Sequence, residues 1–359
     1  RDAKVIKAAG TEANNSVAFS FKAGTATNMA FYVPVPVGEY KFTVALQKED
    51  GTQLWSYEGS SANTVIRAKF ILMPELTITS IPGSGEGTNV AKSAKELQEI
   101  LTKLTSAGSG DNVVEISEDL TLAEGETWTP VKVDGYHGAG VITVKGNNHK
   151  IAGLNAPLFD GGFAGKSGIV VKDLTLESSK INDSQNTQGL GAFVGCIDAM
   201  KKIELDNCHL VNSEIVSTGD ARVGGLIGWT AGYNKQDDGP VETYVTVKNC
   251  SVIKCKITAN GSVGAIIGHA GSNPATYHTI EGNTVKNCEL ISTDDGGWRV
   301  GVVVGTANVG EVTINSTTES DNTLSQTGKT APEGQSNLYG RFVPGSTGKL
   351  TIDGKSISK

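Results

Sequence analysis

Short segments in which two glycines bracket apolar residues recur four times in this chain: Gly191–Gly195 (GAFVG), Gly224–Gly228 (GGLIG), Gly264–Gly268 (GAIIG) and Gly301–Gly305 (GVVVG). Their starts lie 33, 40 and 37 residues apart. A second motif trails the first three: Ile203–Cys208 (IELDNC), Val245–Cys250 (VTVKNC) and Thr284–Cys288 (TVKNC). Val312–Asn315 (VTIN) follows the fourth and lacks the cysteine. A repeat of this length cannot bury its own apolar face, so neighbouring repeats must stack to make a shared core. The alternation of apolar and polar residues sets that stack in β-strands. The expected fold is all-β, a right-handed parallel β-helix with coils about 4.8 Å apart. Asparagine tolerates left-handed φ, so Asn207, Asn249 and Asn287 are expected to turn the coil. Stacked in register they would form an amide ladder, with Cys208, Cys250 and Cys288 beside it. Half-matches at Val141–Lys145 and Ile169–Leu176 extend the pattern toward the N-terminus.

Composition removes several function classes. Glycine is abundant, at 45 of 359 residues, without a Gly-X-Y period, so collagen is out and tight turns are many. The net charge is −7 and no Lys/Arg run occurs, which argues against nucleic acid as a partner. No run of 18 apolar residues exists, so no transmembrane segment is expected. The five cysteines are an odd number without a CxxC pair, and the five histidines show no ligand spacing. No metal and no cofactor are expected, and the cysteines are read as small buried apolar residues.

Upstream of the repeats, residues 1–79 have the pattern of a small β-sandwich-like domain, with strands at Ser16–Phe21, Met29–Val37, Tyr40–Gln47 and Thr64–Leu72 and a turn at Asp50–Gly51. Residues 80–90 are rich in Gly and Ser and make a linker. The β-helix would fill residues 91–359, opening with a capping helix over 93–106. Ser93 and Glu96 form a capping box, Leu97, Ile100, Leu101 and Leu104 line one face, and Gly108 ends the helix. Such a helix plugs the open end of a solenoid. Asp111–Leu122 is the expected first coil.

Two resemblances stand on these residues. Phe31–Val44 (FYVPVPVGEYKFTV), Asp50–Gly51 and Ile66–Phe70 (IRAKF) look like the end of a fimbrillin-like (Mfa-like) domain. The glycine segments resemble GLUG-type repeats, with Gly225-Leu226-Ile227-Gly228 the literal instance. Together they imply a surface lipoprotein of Gram-negative anaerobes, placed at the outer membrane on the extracellular side. The implied role is adhesion or binding of host matrix or glycans, with a surface or pilus assembly partner. The chain opens at Arg1 on polar sequence, as a mature or truncated product would, with room for a lipid anchor ahead of it.

Two candidate sites follow from strand parity. If Val223, Gly225 and Ile227 and their equivalents face the core, then Phe193, Leu226, Ile266 and Val303 form an outward apolar stripe on a flat glycine surface. That stripe is either covered by post-repeat loops or the N-terminal domain, or it docks another chain. The second candidate is polar. Arg222 and Arg299 precede equivalent valines, with Asp294, Asp295 and Trp298 nearby and Trp229 in the same coil as Arg222. There a sugar could stack on an indole while charges hold its hydroxyls; a solvated edge of turns is the plainer reading. A polysaccharide-degrading lyase or glycoside hydrolase is the alternative function. It needs paired carboxylates, and the pairs Asp237–Asp238 and Asp294–Asp295 sit out of phase in DDG turns.

Overall fold

The fold is described from a computed structural model. In residues 89–359 it describes all but 107–110, 124, 134–139, 162, 186–187, 220, 233–241, 346 and 359; of 1–88 it describes six strands. The chain divides into two compact units, Arg1–Gly87 and Thr88–Lys359. In the first, Lys4–Ala9 pairs with Ser16–Ser20, Gly38–Tyr40 with Asn63–Val65, and Thr43–Gln47 with Gln53–Glu58, each antiparallel. The expected strand Met29–Val37, the Asp50–Gly51 turn and the helix end at Gly108 lie outside the described residues, as do Asp237 and Asp238.

Among the described residues the regular elements of the second unit are strands and one helix, Ala94–Ser106. Its sheets are parallel, and the chain visits them in a fixed order. In one coil it runs through Thr243–Lys248, Ser251–Ile253, Lys256–Ala259, Val263–Gly264 and Ile267–Ala270. Thr276–Glu281 then pairs with Thr243–Lys248 and the cycle repeats. The result is a broad sheet of 15 strands flanked by sheets of five, four and seven.

Register makes the core columnar. One inward column of the broad sheet carries Val144, Val171, Leu205, Val247, Ile280 and Ile314, all fully buried. The five-stranded sheet contributes Ile181, Ile215, Ile257, Leu290 and Leu324. The seven-stranded sheet contributes Phe159, Val194, Ile227, Ile267, Val304 and Tyr339. Branched residues stacked in this way satisfy both strand preference and burial. On the outer face of the broad sheet, Glu204 sits among Lys202, Lys172 and Lys248 at 2.8, 3.6 and 3.6 Å.

The helix closes one end. Ser93 Oγ accepts the Glu96 N–H, and Glu96 reaches back to the Lys92 N–H rather than to that of Ser93, a displaced capping box. Ala94, Leu97, Leu101 and Thr105 are buried, with Ile100 and Leu104 packed alongside. The first strand of the broad sheet is Asn89–Ala91, which precedes the helix and begins inside the predicted linker. At the other end Lys355–Ser356 folds back antiparallel on Lys349–Ile352.

Each coil turns at two left-handed corners. The first column holds Asp173, Asn207, Asn249, Gly282 and Ser316, and the second Ser178, Asn212, Lys254, Asn287 and Asp321, all with positive φ. The predicted alignment of three Asn-Cys motifs is therefore corrected. Asn287–Cys288 lies in the column of Lys254–Cys255, one corner further along than Asn207–Cys208 and Asn249–Cys250. The amide ladder is also corrected: Asn207 Nδ2 donates to Asp173 Oδ1 at 2.7 Å, and Asn249 Nδ2 to Asp206 Oδ1 at 3.1 Å.

At four of these corners the following residue, Ser213, Cys250, Asn283 or Asn322, reaches the coil before it. The Ser179 N–H donates to Ser213 Oγ at 3.0 Å, Cys208 N–H to Cys250 Sγ at 3.4 Å, Cys250 N–H to Asn283 Oδ1 at 2.8 Å and Cys288 N–H to Asn322 Oδ1 at 2.9 Å. Asn283 and Asn322 also donate to the Val247 and Val285 carbonyls. A corner N–H that leaves the strand ladder must find another acceptor when buried. Ser, Cys and Asn all supply one.

Candidate functional site

The glycine segments form the fourth turn of each coil, and they are corners rather than strands. Arg222–Gly224 belongs to the four-stranded sheet and Ile227–Thr230 to the seven-stranded sheet, with Gly225 and Leu226 in the bend. The bend breaks the two-residue alternation. Leu226 and Ile227 consequently both point inward, and Phe193, Leu226, Ile266 and Val303 are each 0% exposed. The predicted outward stripe is overturned: these four residues line the core, and neither a covering loop nor a docking partner is needed for them.

The glycines themselves permit close backbone contact. A Cβ on Gly224 would overlap the Ile227 carbonyl and lie 2.6 Å from the Gly268 nitrogen of the next coil. One on Gly268 would lie 2.6 Å from the Val223 carbonyl carbon. The two arms of the corner thus pack backbone on backbone, which only glycine allows. Gly340, in Tyr339–Phe342, takes the same place one coil beyond the last recognisable motif.

Just outside this corner two side-chain columns face each other. One runs through Arg222, Ser262 and Arg299, whose carbonyls or neighbours pair in register. The other runs through Cys196, Trp229, His269, Thr306 and Arg341. The Arg222 guanidinium carbon sits 4.8 Å from the centre of the Trp229 ring, a cation–π contact. The His269 ring meets Trp229 edge-on at 5.9 Å, and the indole N–H donates to Ser272 Oγ at 3.3 Å. Ser262 and Thr306 hydroxyls bond at 2.7 Å. Burial, then the nearby Arg222 charge, pushes the His269 pKa down to about 3, so its ring is neutral at ordinary pH. His269 Nε2 lies 3.1 Å from the Gly271 carbonyl, and Asn308 Nδ2 is 3.3 Å away.

Two coils on from Arg222, Arg299 is bound to its own loop. Its guanidinium pairs with Asp294 at 3.0 Å, and its N–H donates to Gln326 Oε1 at 2.8 Å. Gln326, on the next coil, in turn donates to the Asp294 and Gly297 carbonyls, so the DDGGW loop is tied to its neighbouring coil. Asp295 is exposed and Trp298 is half-buried against the core. Of the polar candidates, then, Arg222 and Trp229 are in contact, and Asp294 and Arg299 are in contact. His269, Ser272, Asn308 and Gln326 were missed. The slot after the second glycine, filled by Cys196, Trp229, His269 and Thr306, is the sequence signal that marks the second column. Among the described residues no three His, Cys, Asp or Glu side chains stand together as a metal site, and no helix is long and apolar enough to cross a membrane.

No family model and no curated protein matches this chain. Among solved structures it is similar to a Bacteroides ovatus protein described as a "putative immunoglobulin A1 protease", at 16% identity and a TM-score of 0.40. The likeness covers 75% of this chain and 78% of that one.

Proposed function

We propose that residues 91–359 are a right-handed parallel β-helix of GLUG-type repeats, preceded by a fimbrillin-like domain over 1–79. Right-handed crossovers between parallel strands are nearly universal, which supports the hand. The reading places the protein at the cell surface, on the extracellular side of the outer membrane, as an adhesion or binding protein for a host-matrix protein or glycan. A lipid anchor ahead of Arg1 and a surface or pilus assembly partner belong to the same proposal.

The observation that carries it is the Arg222–Trp229 contact, half-exposed on the rim of the glycine corner. Arg and Trp are the side chains most enriched at binding hot spots. Here each is held by stacking before any ligand arrives, which lowers the entropy cost of binding. His269 and Ser272 also contact the indole. Arg222 lies over one face of the Trp229 ring, so the rim presents an aromatic and a polar group side by side.

The test is a glycan and matrix-protein array probed with the full chain, with reducing-sugar release measured in parallel. Binding that falls at least tenfold in both Arg222→Ala and Trp229→Ala supports the site. Turnover of any polysaccharide would overturn the proposal in favour of the lyase or hydrolase alternative.

A further inference from the structure

Four of the five cysteines stand in two opposed pairs on successive coils. Cys208 and Cys250 follow the first left-handed corner, between the register pairs Asp206↔Lys248 and His209↔Ser251. Cys255 and Cys288 follow the second corner, immediately before the register pair Lys256↔Glu289. All four are buried thiols, and within each pair the side chains interact directly. Opposed positions on neighbouring parallel strands are about 4.8 Å apart, inside the Cα separation of roughly 4.4–6.8 Å that a disulfide spans. The two pairs cannot exchange partners easily, because the strand Ser251–Ile253 separates Cys250 from Cys255. Cys196 faces Trp229 on the next coil and has no opposed cysteine.

We propose that Cys208 with Cys250, and Cys255 with Cys288, close as two inter-coil disulfides when the chain folds in the presence of a disulfide oxidant. Each bond forms by thiol–disulfide exchange. One molecule of glutathione disulfide is consumed, its S–S bond breaks, the chain S–S bond forms, and the two thiol protons end on two molecules of glutathione. Exchange must precede burial, because a thiol without access to water is a poor nucleophile in the closed stack. Burial raises Cys208 well above its ordinary value, and the Cys288 thiol and burial do the same for Cys255. Once formed, each bond replaces thiol-to-carbonyl contacts of 3.3–3.5 Å, such as Cys208 to Val171 and Cys255 to Leu210, with a covalent link between coils.

The test uses the full chain, exported to an oxidising bacterial periplasm and, in parallel, refolded from denaturant with oxidised and reduced glutathione. Free thiols are alkylated in denaturant, and the protein is cut with trypsin, which separates Cys250 from Cys255 at Lys254. The expected result is one alkylated residue, Cys196, and two linked peptides, 208 with 250 and 255 with 288. Cys250→Ser should leave two free thiols, Cys196 and Cys208, and the second link intact. Five alkylated cysteines in both preparations, or any linkage outside these two, overturns the proposal.

Discussion

A coil of this molecule turns in two physically opposite ways. At the glycine corner the chain is fixed by the absence of side chains, so that backbone meets backbone across coils. At the left-handed corners it is fixed by side chains, which reach to the previous coil and satisfy its stranded N–H and C=O groups. The first solution has a single residue type. The second accepts Ser, Cys or Asn. That difference explains why the glycines can be found by eye while the polar corners slip out of alignment.

The comparison is broken most directly at the glycines. Gly268→Ala and Gly264→Val put a Cβ where Val223 and Gly305 backbone atoms already lie, at 2.6 and 2.7 Å. Backbone cannot yield as a flexible side chain does, so each should cost more than about 4 kcal/mol. The expected outcome is loss of the cooperative β-sheet melt by circular dichroism, or insoluble expression. A variant that melts within a few degrees of wild type would show that the corner closes without backbone contact.

The polar corner should respond in a graded way. Asn283→Ala strands both the Cys250 N–H and the Val247 carbonyl, which it now bonds at 2.8 and 2.9 Å. Leaving two buried groups unsatisfied costs roughly 2–4 kcal/mol. Asn283→Ser should recover part of this, since serine accepts a corner N–H in the same way at the second corner, at Ser213. Urea midpoints for the pair check the order; equal midpoints would mean that the rung is filled for volume and not for hydrogen bonding.

What could be recognised from sequence follows the same division. Glycine has no substitute at a close approach, so GAFVG, GGLIG, GAIIG and GVVVG repeat visibly and locate the stack. The helix Ala94–Ser106 is equally legible, because Ser93, Glu96 and the Leu97–Leu101 spacing are local signals. Strand parity does not carry through a corner: Gly225 and Leu226 bend between two sheets, so adjacent residues both turn inward. The Asn-Cys alignment failed because one coil carries two corners of the same chemistry, and TVKNC at the second corner mimics VTVKNC at the first. Arg222 and Trp229 were named from their place beside the repeat. His269 is not legible as a site residue, because its role depends on the stacking of one coil on the next.

A histidine in the apolar column sharpens the comparison from a third place. His278 takes the position of Val245 and Val312 in neighbouring coils, is 2% exposed, and has Nε2 2.7 Å from Thr230 Oγ1. Burial pushes its pKa down to about 4. A base whose folded pKa lies below its unfolded value of about 6.5 leaves stability intact above that value. Stability then falls as pH drops from about 6.5 toward 4, because the unfolded chain takes up the proton first, by up to about 3 kcal/mol. His278→Gln keeps a group for Thr230 and cannot charge, so its urea midpoint should be flatter across that window. An identical pH slope in wild type and variant would assign the acid sensitivity elsewhere.

The smallest effect is expected at Cys255 in the reduced chain. Its rung is shared by Ser213 one coil earlier and Cys288 one coil later, and its thiol contacts the Leu210 carbonyl at 3.5 Å. Cys255→Ser therefore keeps a donor and an acceptor where both are used, and its stability should change by less than about 1 kcal/mol. Cys255→Val keeps the volume but removes both, and should cost about 1–2 kcal/mol more than the serine. If the valine variant is as stable as the serine, this corner is held by packing alone. The contrast with the glycine corner would then lie in available space and not in hydrogen bonding.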